Sequence, residues 1–154
     1  MPKTLIVCSS VSHGNTRQIA DALSEVLDAT VVTPGEVDAA DLASYDLVGF
    51  GSGIYSRRFH HDLRARVDSL PPMTGKAFVF ATSGLRESRL NRFAKPFVDN
   101  IENKGYEVVG GFTCRGYDTY LPFKLVGGIG KGRPNADDLA SAREFAEFLK
   151  DSMA

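Results

Sequence analysis

The 154 residues predict a doubly wound α/β fold: one domain over residues 1–154, built on a five-stranded parallel sheet of strand order 2-1-3-4-5. Three observations predict it. Five short apolar runs recur, at 5–8, 29–32, 47–51, 77–81 and 108–114. They are rich in Val and Phe and mostly unalternated, as strands covered on both faces are. Segments of helical period lie between them, and alternation of strand and helix builds a parallel sheet.

The elements follow in order. Leu5, Ile6, Val7 and Cys8 form the first strand, and Ile19, Ala20, Leu23, Val26 and Leu27 share one face of the helix after it. Residues 35–45 give a weaker helix between strands two and three. Phe59, Leu63, Val67 and Leu70 share a face of the next helix, which Pro71 and Pro72 end. Leu90, Phe93, Phe97, Val98 and Ile101 line another that stops near Gly105. The last helix follows Pro134 and Asn135, carries Asp137 and Asp138 in its first turn, and buries Leu139, Ala142, Phe145 and Leu149.

The most informative stretch is 4–16, where the first strand breaks into a loop bearing Ser9, Ser10, Ser12, His13, Gly14, Asn15 and Thr16 and then opens a helix. Unpaired N–H groups and the positive dipole end make a helix N-terminus a site for an anion. The loop adds five short side-chain donors and no cationic side chain, which suits a fixed cofactor phosphate held by dipoles. A Ser- and Asn-rich N-cap without a ligand is the plainer reading of the same residues. Other nucleotide motifs fail: Gly14 stands without the partners of a G-x-G-x-x-G fingerprint, and Gly127–Gly132 lacks the spacing of a phosphate-binding P-loop.

Composition narrows the classes further. No basic-then-apolar leader and no membrane-length apolar run occurs, so neither export nor stable membrane insertion is expected. Cys8 and Cys114 each end an apolar run without metal-type spacing, and read as reduced, buried side chains of a cytoplasmic protein. His13, His60 and His61 do not cluster with them, so no metal site is expected. His13 reads as a loop donor, and His60 and His61 as exposed residues at the start of the third helix. No residue set names a catalytic acid, base or nucleophile.

In such sheets the ligand sits beyond the carboxyl ends of the strands, where strand order reverses. That point lies between strands one and three. The loop after strand three, 51–56, offers Gly51 and Gly53 for close backbone approach, with Ile54, the aromatic Tyr55, and Ser56. Strand four runs into Thr82, Ser83, Gly84 and Leu85 at the same edge. A phosphate site, an aromatic plate and bare backbone on three adjacent loops describe a site for a flat heterocycle with a phosphate tail.

On these residues the chain resembles the flavodoxin-like FMN-binding family over essentially its whole length. Ser10 to Thr16 is similar to the family's phosphate loop, Gly51 to Ser56 to its second flavin loop, and Thr82 to Gly84 to its third. The resemblance implies FMN as cofactor, with Ser10, Ser12, Asn15 and Thr16 as phosphate ligands and Tyr55 as the inner stacking aromatic. The phosphate loop is one residue longer than the family's usual T-x-T-G-x-T form and sets His13 before Gly14, which leaves Ser10, Ser12 and His13 as alternative contacts. The third loop lacks the aromatic that covers the flavin's outer face in flavodoxins. A long connection, 115–133, starts at that edge and is placed to supply cover or to wall a substrate pocket.

Charge separates the functional readings. Residues 18–56 hold seven acids and no Lys or Arg, whereas 57–95 hold nine basic residues against three acids, a division hidden in a net charge of −1. Arg57, Arg58 and Arg86 fall within the flavin-side loops; Arg64, Arg66 and Arg92 read as solvated helix faces. A unit charge ~8 Å from a reduced, anionic flavin at an effective dielectric of ~20 changes its energy by roughly 2 kcal/mol before screening. A basic rim therefore raises the potential and attracts an anionic partner, either a redox protein or a small donor or acceptor. Nucleic acid is a poor reading, because the charge is local and not interleaved with exposed aromatics. The resemblance implies an FMN-binding electron carrier; the alternative is a small FMN-dependent oxidoreductase of the NAD(P)H:quinone reductase or protoporphyrinogen oxidase kind.

Overall fold

Strand β1 (Thr4–Ser9) is buried at every residue and lies between β2 (Thr30–Val32) and β3 (Leu47–Tyr55), parallel to both. Strands β5 (Lys76–Ser83) and β6 (Glu107–Arg115) extend the sheet beyond β3, giving the order β2-β1-β3-β5-β6. This is the expected 2-1-3-4-5 order once a two-residue strand, β4 (Arg58–Phe59), is numbered; β4 folds back antiparallel on the end of β3. The structure is a computed structural model and describes residues 2–9, 15–55, 58–83, 87–115 and 134–153.

Helices cover both faces, as continuous apolar strands require. On one face α1 (Asn15–Leu27) and α5 (Ala136–Met153) pack together over Ile6, Cys8, Phe78 and Phe80. On the other, α3 (His61–Asp68) and α4 (Glu87–Asn103) cover Leu5, Val7, Val48, Phe50 and Val79. The last helix starts where expected, and its cap is reciprocal. The Asp138 backbone N–H donates to Asn135 Oδ1 at 3.0 Å, and the Asn135 N–H donates to Asp138 Oδ2 at 2.8 Å.

Three expectations need correction. The weak helix over 35–45 is two short pieces, a 3-10 turn at Pro34–Glu36 and α2 at Ala39–Ala43. Each has its own carboxylate cap: the Thr33 N–H donates to Glu36 Oε1 and the Asp41 N–H to Asp38 Oδ1, so the chain restarts between them. Strand three does not end at Gly51 but runs to Tyr55, so most of the expected second loop is strand. Phe59 is not on the third helix. It sits in β4, buried, and stacks on Phe97 of α4 at 4.3 Å between ring centroids.

The glycines explain the long third strand. Gly49 pairs in register with Phe78 and Gly51 with Phe80, and a Cβ on either glycine would overlap the ring of its partner. The two rings thus lie across β3 in the space its side chains leave empty. Residue Gly53 continues the pattern opposite Thr82.

The amino ends of the strands are laced together by loop backbone. Asp46 and Leu47 N–H groups both donate to the Lys3 carbonyl, Lys76 N–H to that of Asp46, and Glu107 N–H to that of Gly75. Met73 N–H donates to the Lys104 carbonyl at 2.6 Å, and Lys104 Nζ reaches the carbonyls of Asp68 and Leu70. Gly105, at φ +114°, turns the chain off α4 where a Cβ would strike the Met73 carbonyl.

Replacing Gly51 by Ala drives a methyl group into the buried Phe80 ring and is expected to destabilise the fold by about 1–3 kcal/mol. Gly35→Ala, with nothing near its Cβ position, serves as control and should stay within about 0.5 kcal/mol. Urea unfolding of the two variants checks the difference.

Candidate functional site

The switch point falls between β1 and β3, because the chain leaves β1 through α1 toward β2 and leaves β3 through α3 toward β5. At this edge the strand ends turn polar. Ser9 and Ser52 are register partners on β1 and β3, and Gly53 and Thr82 on β3 and β5; Ser9, Ser52 and Thr82 are all buried. Buried hydroxyls are in the large majority hydrogen-bonded. Ser52 is fully enclosed: its Oγ donates to the Gly53 carbonyl and accepts the His60 N–H at 2.9 Å. That bond draws β4 back onto β3 and sets the corner from which α3 leaves.

Thr16, the second residue of α1, lies above this edge. Its Oγ1 is 2.8 Å from Oγ1 of Thr82, so the expected phosphate loop and the expected third loop meet through one buried hydroxyl pair. Asn15 opens α1 and is half-buried. The first turn of α1 holds no acid, unlike those of α2, α3 and α5 with Asp41, Asp62 and the Asp137–Asp138 pair. A helix start without its own carboxylate keeps its N–H dipoles for an outside anion. The donors present therefore fit a phosphate group.

Of the other expected site residues, Gly53 and Ile54 lie within β3, with Ile54 opposite Phe59, and Tyr55 takes its place in the strand opposite Arg58. Ser83 is the last residue of β5. Ser10, Ser12, His13, Gly14, Ser56 and Gly84 lie outside the described residues, as do Arg57 and Arg86 and the connection 116–133. The reading of Gly51 as an open approach for a ligand does not hold, since Phe80 fills the space beside it.

Three residues, His60, Arg64 and Arg66, acquire roles that sequence reasoning missed. His60 caps α3, its Nδ1 accepting the Asp62 N–H at 3.0 Å, rather than standing free on the surface. His61 is exposed, as expected. Arg64 and Arg66 are not simply solvated: each donates through Nε to a backbone carbonyl, of Phe59 and Pro34 respectively, at 2.9 Å. No sequence pattern signals a guanidinium-to-carbonyl bond. Arg58 is exposed beside the register position of Tyr55.

Cys8 stands just before the loop but offers no nucleophile. Burial pushes its thiol up to about 12; Arg17 pulls it down and Asp21 pushes it further up, both more weakly. Among the described residues no group of His, Cys, Asp or Glu has the arrangement to hold a metal ion. A cavity of about 460 Å³ opens elsewhere, between α4 and β6, bordered by Ala94, Val98, Gly111 and Thr113. Its charged rim includes Lys95 and Asp99, which pair with each other at 3.1 Å.

Residues 5–113 match a family model described as a flavodoxin domain, from the first residues of β1 to the last turn-ward residues of β6. The chain belongs to the flavodoxin domain family. An uncharacterized protein of Methanocaldococcus jannaschii is 39 % identical to it over 147 residues, covering 96 % of this chain and 97 % of that protein. The chain is similar in fold to oxidised flavodoxin 1 from Bacillus cereus, with a TM-score of 0.69 and 18 % identity over 96 % of this chain and 98 % of that one. It is also similar to a flavoprotein from Lactobacillus acidophilus solved in complex with FMN, with a TM-score of 0.57, 19 % identity, and 73 % and 93 % of the two chains covered. As a flavodoxin domain the protein has its family's α/β fold, with the switch point at the carboxyl edge of β1 and β3.

The raised Cys8 pKa makes stability pH-dependent. The folded thiol stays protonated up to about 12, whereas an unfolded one ionises from ~8.5. Its contribution is therefore complete below ~8.5 and erodes as pH rises toward 12, by up to about 1.4 kcal/mol per pH unit. Between pH 8.5 and 10, before the buried Tyr106 phenol (also raised to about 12 by burial) adds its own term, stability of the protein should fall faster with pH than that of Cys8→Ala. Urea titrations at stepped pH measure it.

Proposed function

We propose that this flavodoxin domain binds FMN at the carboxyl edge of β1, β3 and β5 and serves as an electron carrier in the cytoplasm. The observation that carries the reading is the acid-free N-terminus of α1 at the switch point, with the buried Thr16 hydroxyl beneath it. Asn15 and Thr16, with Ser10, Ser12 or His13 from the loop, would hold the phosphate. Tyr55, Gly53 and Ile54 on the second segment and Ser83 and Gly84 on the third would border the ring, with the Thr82 hydroxyl turned to Thr16. When bound, FMN supplies the capacity to take up and release electrons; the protein supplies position and electrostatics. That division accounts for a site whose described residues include no catalytic acid, base or thiolate. The buried Cys8 and Cys114, neither of them in a disulfide, agree with a reducing compartment.

The second reading, a small FMN-dependent oxidoreductase acting between NAD(P)H and a quinone-like or porphyrin-like acceptor, draws on Arg58. This exposed cation sits opposite Tyr55 in the β3–β4 register, where an anionic donor or an acidic partner surface would meet it.

Titration of the apoprotein with FMN and with riboflavin tests cofactor and phosphate together: FMN should bind far more tightly. Removing the Ser10 and Thr16 hydroxyls together (Ser10→Ala, Thr16→Val) should weaken FMN by about 2–4 kcal/mol, since both donate to a charged group. Unchanged affinity would remove the phosphate assignment. A carrier should show no sustained oxidation of NADH or NADPH with a quinone; turnover would favour the enzyme. Replacing Arg57, Arg58 and Arg86 by Gln should lower the flavin potential and slow reaction with an anionic partner, and salt should shrink both effects as screening shortens to ~8 Å.

A further inference from the structure

The contact between Thr16 and Thr82 joins residues 66 positions apart, and both side chains are almost wholly buried, at 2 % and 3 % exposure. A hydroxyl has one proton and two lone pairs. One hydrogen bond between two hydroxyls consumes one proton, so the pair keeps a single proton to offer elsewhere. Which residue keeps it decides what the pair can do. If Thr16 donates to Thr82, Thr16 presents only lone pairs toward the start of α1, and these repel an anion there. If Thr82 donates to Thr16, the Thr16 proton is left free for that anion.

We propose that Thr82 is a positioning residue for the phosphate: it does not touch the phosphate itself, and its hydroxyl donates to Thr16 so that the Thr16 proton is held toward the phosphate. The inference rests on the FMN reading above and gives it a second layer. The fold supplies the reach. Gly53, the register partner of Thr82 on β3, has no side chain to stand between β5 and α1. Burial removes water as a competing partner, so among the described residues the direction of the bond is set by the two hydroxyls and by the anion. The methyl group and branched Cβ of Thr82 restrict its side-chain rotation, which holds the oxygen in place.

A double-substitution cycle read by FMN and riboflavin titration tests the proposal, using the wild-type protein, Thr82→Val, Thr16→Val, the double variant and Thr82→Ser. Valine keeps the shape and deletes the hydroxyl. Thr82→Val should weaken FMN about tenfold while leaving riboflavin within about twofold, and Thr82→Ser should recover most of the loss. In the Thr16→Val background Thr82→Val should have no further effect beyond about twofold, because its only route to the phosphate is gone. The phosphorus resonance of bound FMN should move in Thr82→Val while the visible spectrum of the flavin stays the same.

Equal weakening of FMN and riboflavin would make Thr82 merely structural, and full additivity of the two valines would make it an independent phosphate contact. Either result, or an unchanged FMN affinity, overturns the proposal. A wild-type protein that binds no FMN overturns the FMN reading as well, whereas wild-type binding with a failed cycle overturns only the positioning role. Should Thr82→Val not fold, Thr82→Ala carries the same comparison.

Discussion

The structure depends on the bare face that β3 turns toward α1. At positions 49, 51 and 53 that face carries only glycine, and the register sets these opposite Phe78, Phe80 and Thr82 of β5. The central strand is therefore thin on one side, and its neighbour's side chains fill the gap. Phe78 and Phe80 give the core under α1 and α5 its bulk, with Phe145 meeting Phe78 edge-on at 6.0 Å and stacking on Phe112 at 5.8 Å. One step further along, the same geometry carries a hydroxyl instead of a ring. Core and site are thus successive rungs of one ladder, apolar at its middle and polar at its carboxyl end.

The fold was legible because its signal is coarse. Apolar runs at regular intervals, helical stripes between them and a polar turn after the first strand suffice to assign a parallel sheet and its order. The corrections lie where tertiary contacts override local pattern. Glycines after Phe50 look like a loop, yet they continue the strand, Gly51 leaving its space to Phe80 and Gly53 pairing opposite Thr82. Phe59 has helical spacing to Leu63 and Val67, yet the Ser52 hydroxyl pulls the His60 N–H, and Phe59 with it, onto β3.

The candidate site was legible in part for the same reason. The alternation of glycine on β3 with Phe, Phe and Thr on β5 stands in the sequence as two matching period-two patterns 29 residues apart. Recognising it as one feature requires the register, which no local rule supplies. The carbonyl bond of Arg66 was hidden likewise, since it reaches Pro34 across the fold. The His60 cap and the Arg64 bond to Phe59 are local, and were hidden because helical spacing set Phe59 inside the helix rather than ahead of it.

The lacing at the amino edge has a consequence for how this chain can change. Backbone bonds of Lys3, Asp46, Met73, Gly75, Lys104 and Glu107 tie three connections and the segment before β1 together without using side-chain identity at most of those positions. With the strands held in order at that end, length added to a connection at the other raises closure entropy only slowly. Such a division lets one scaffold keep its strand order while the carboxyl rim is rewritten, and makes that rim the natural place to graft new specificity.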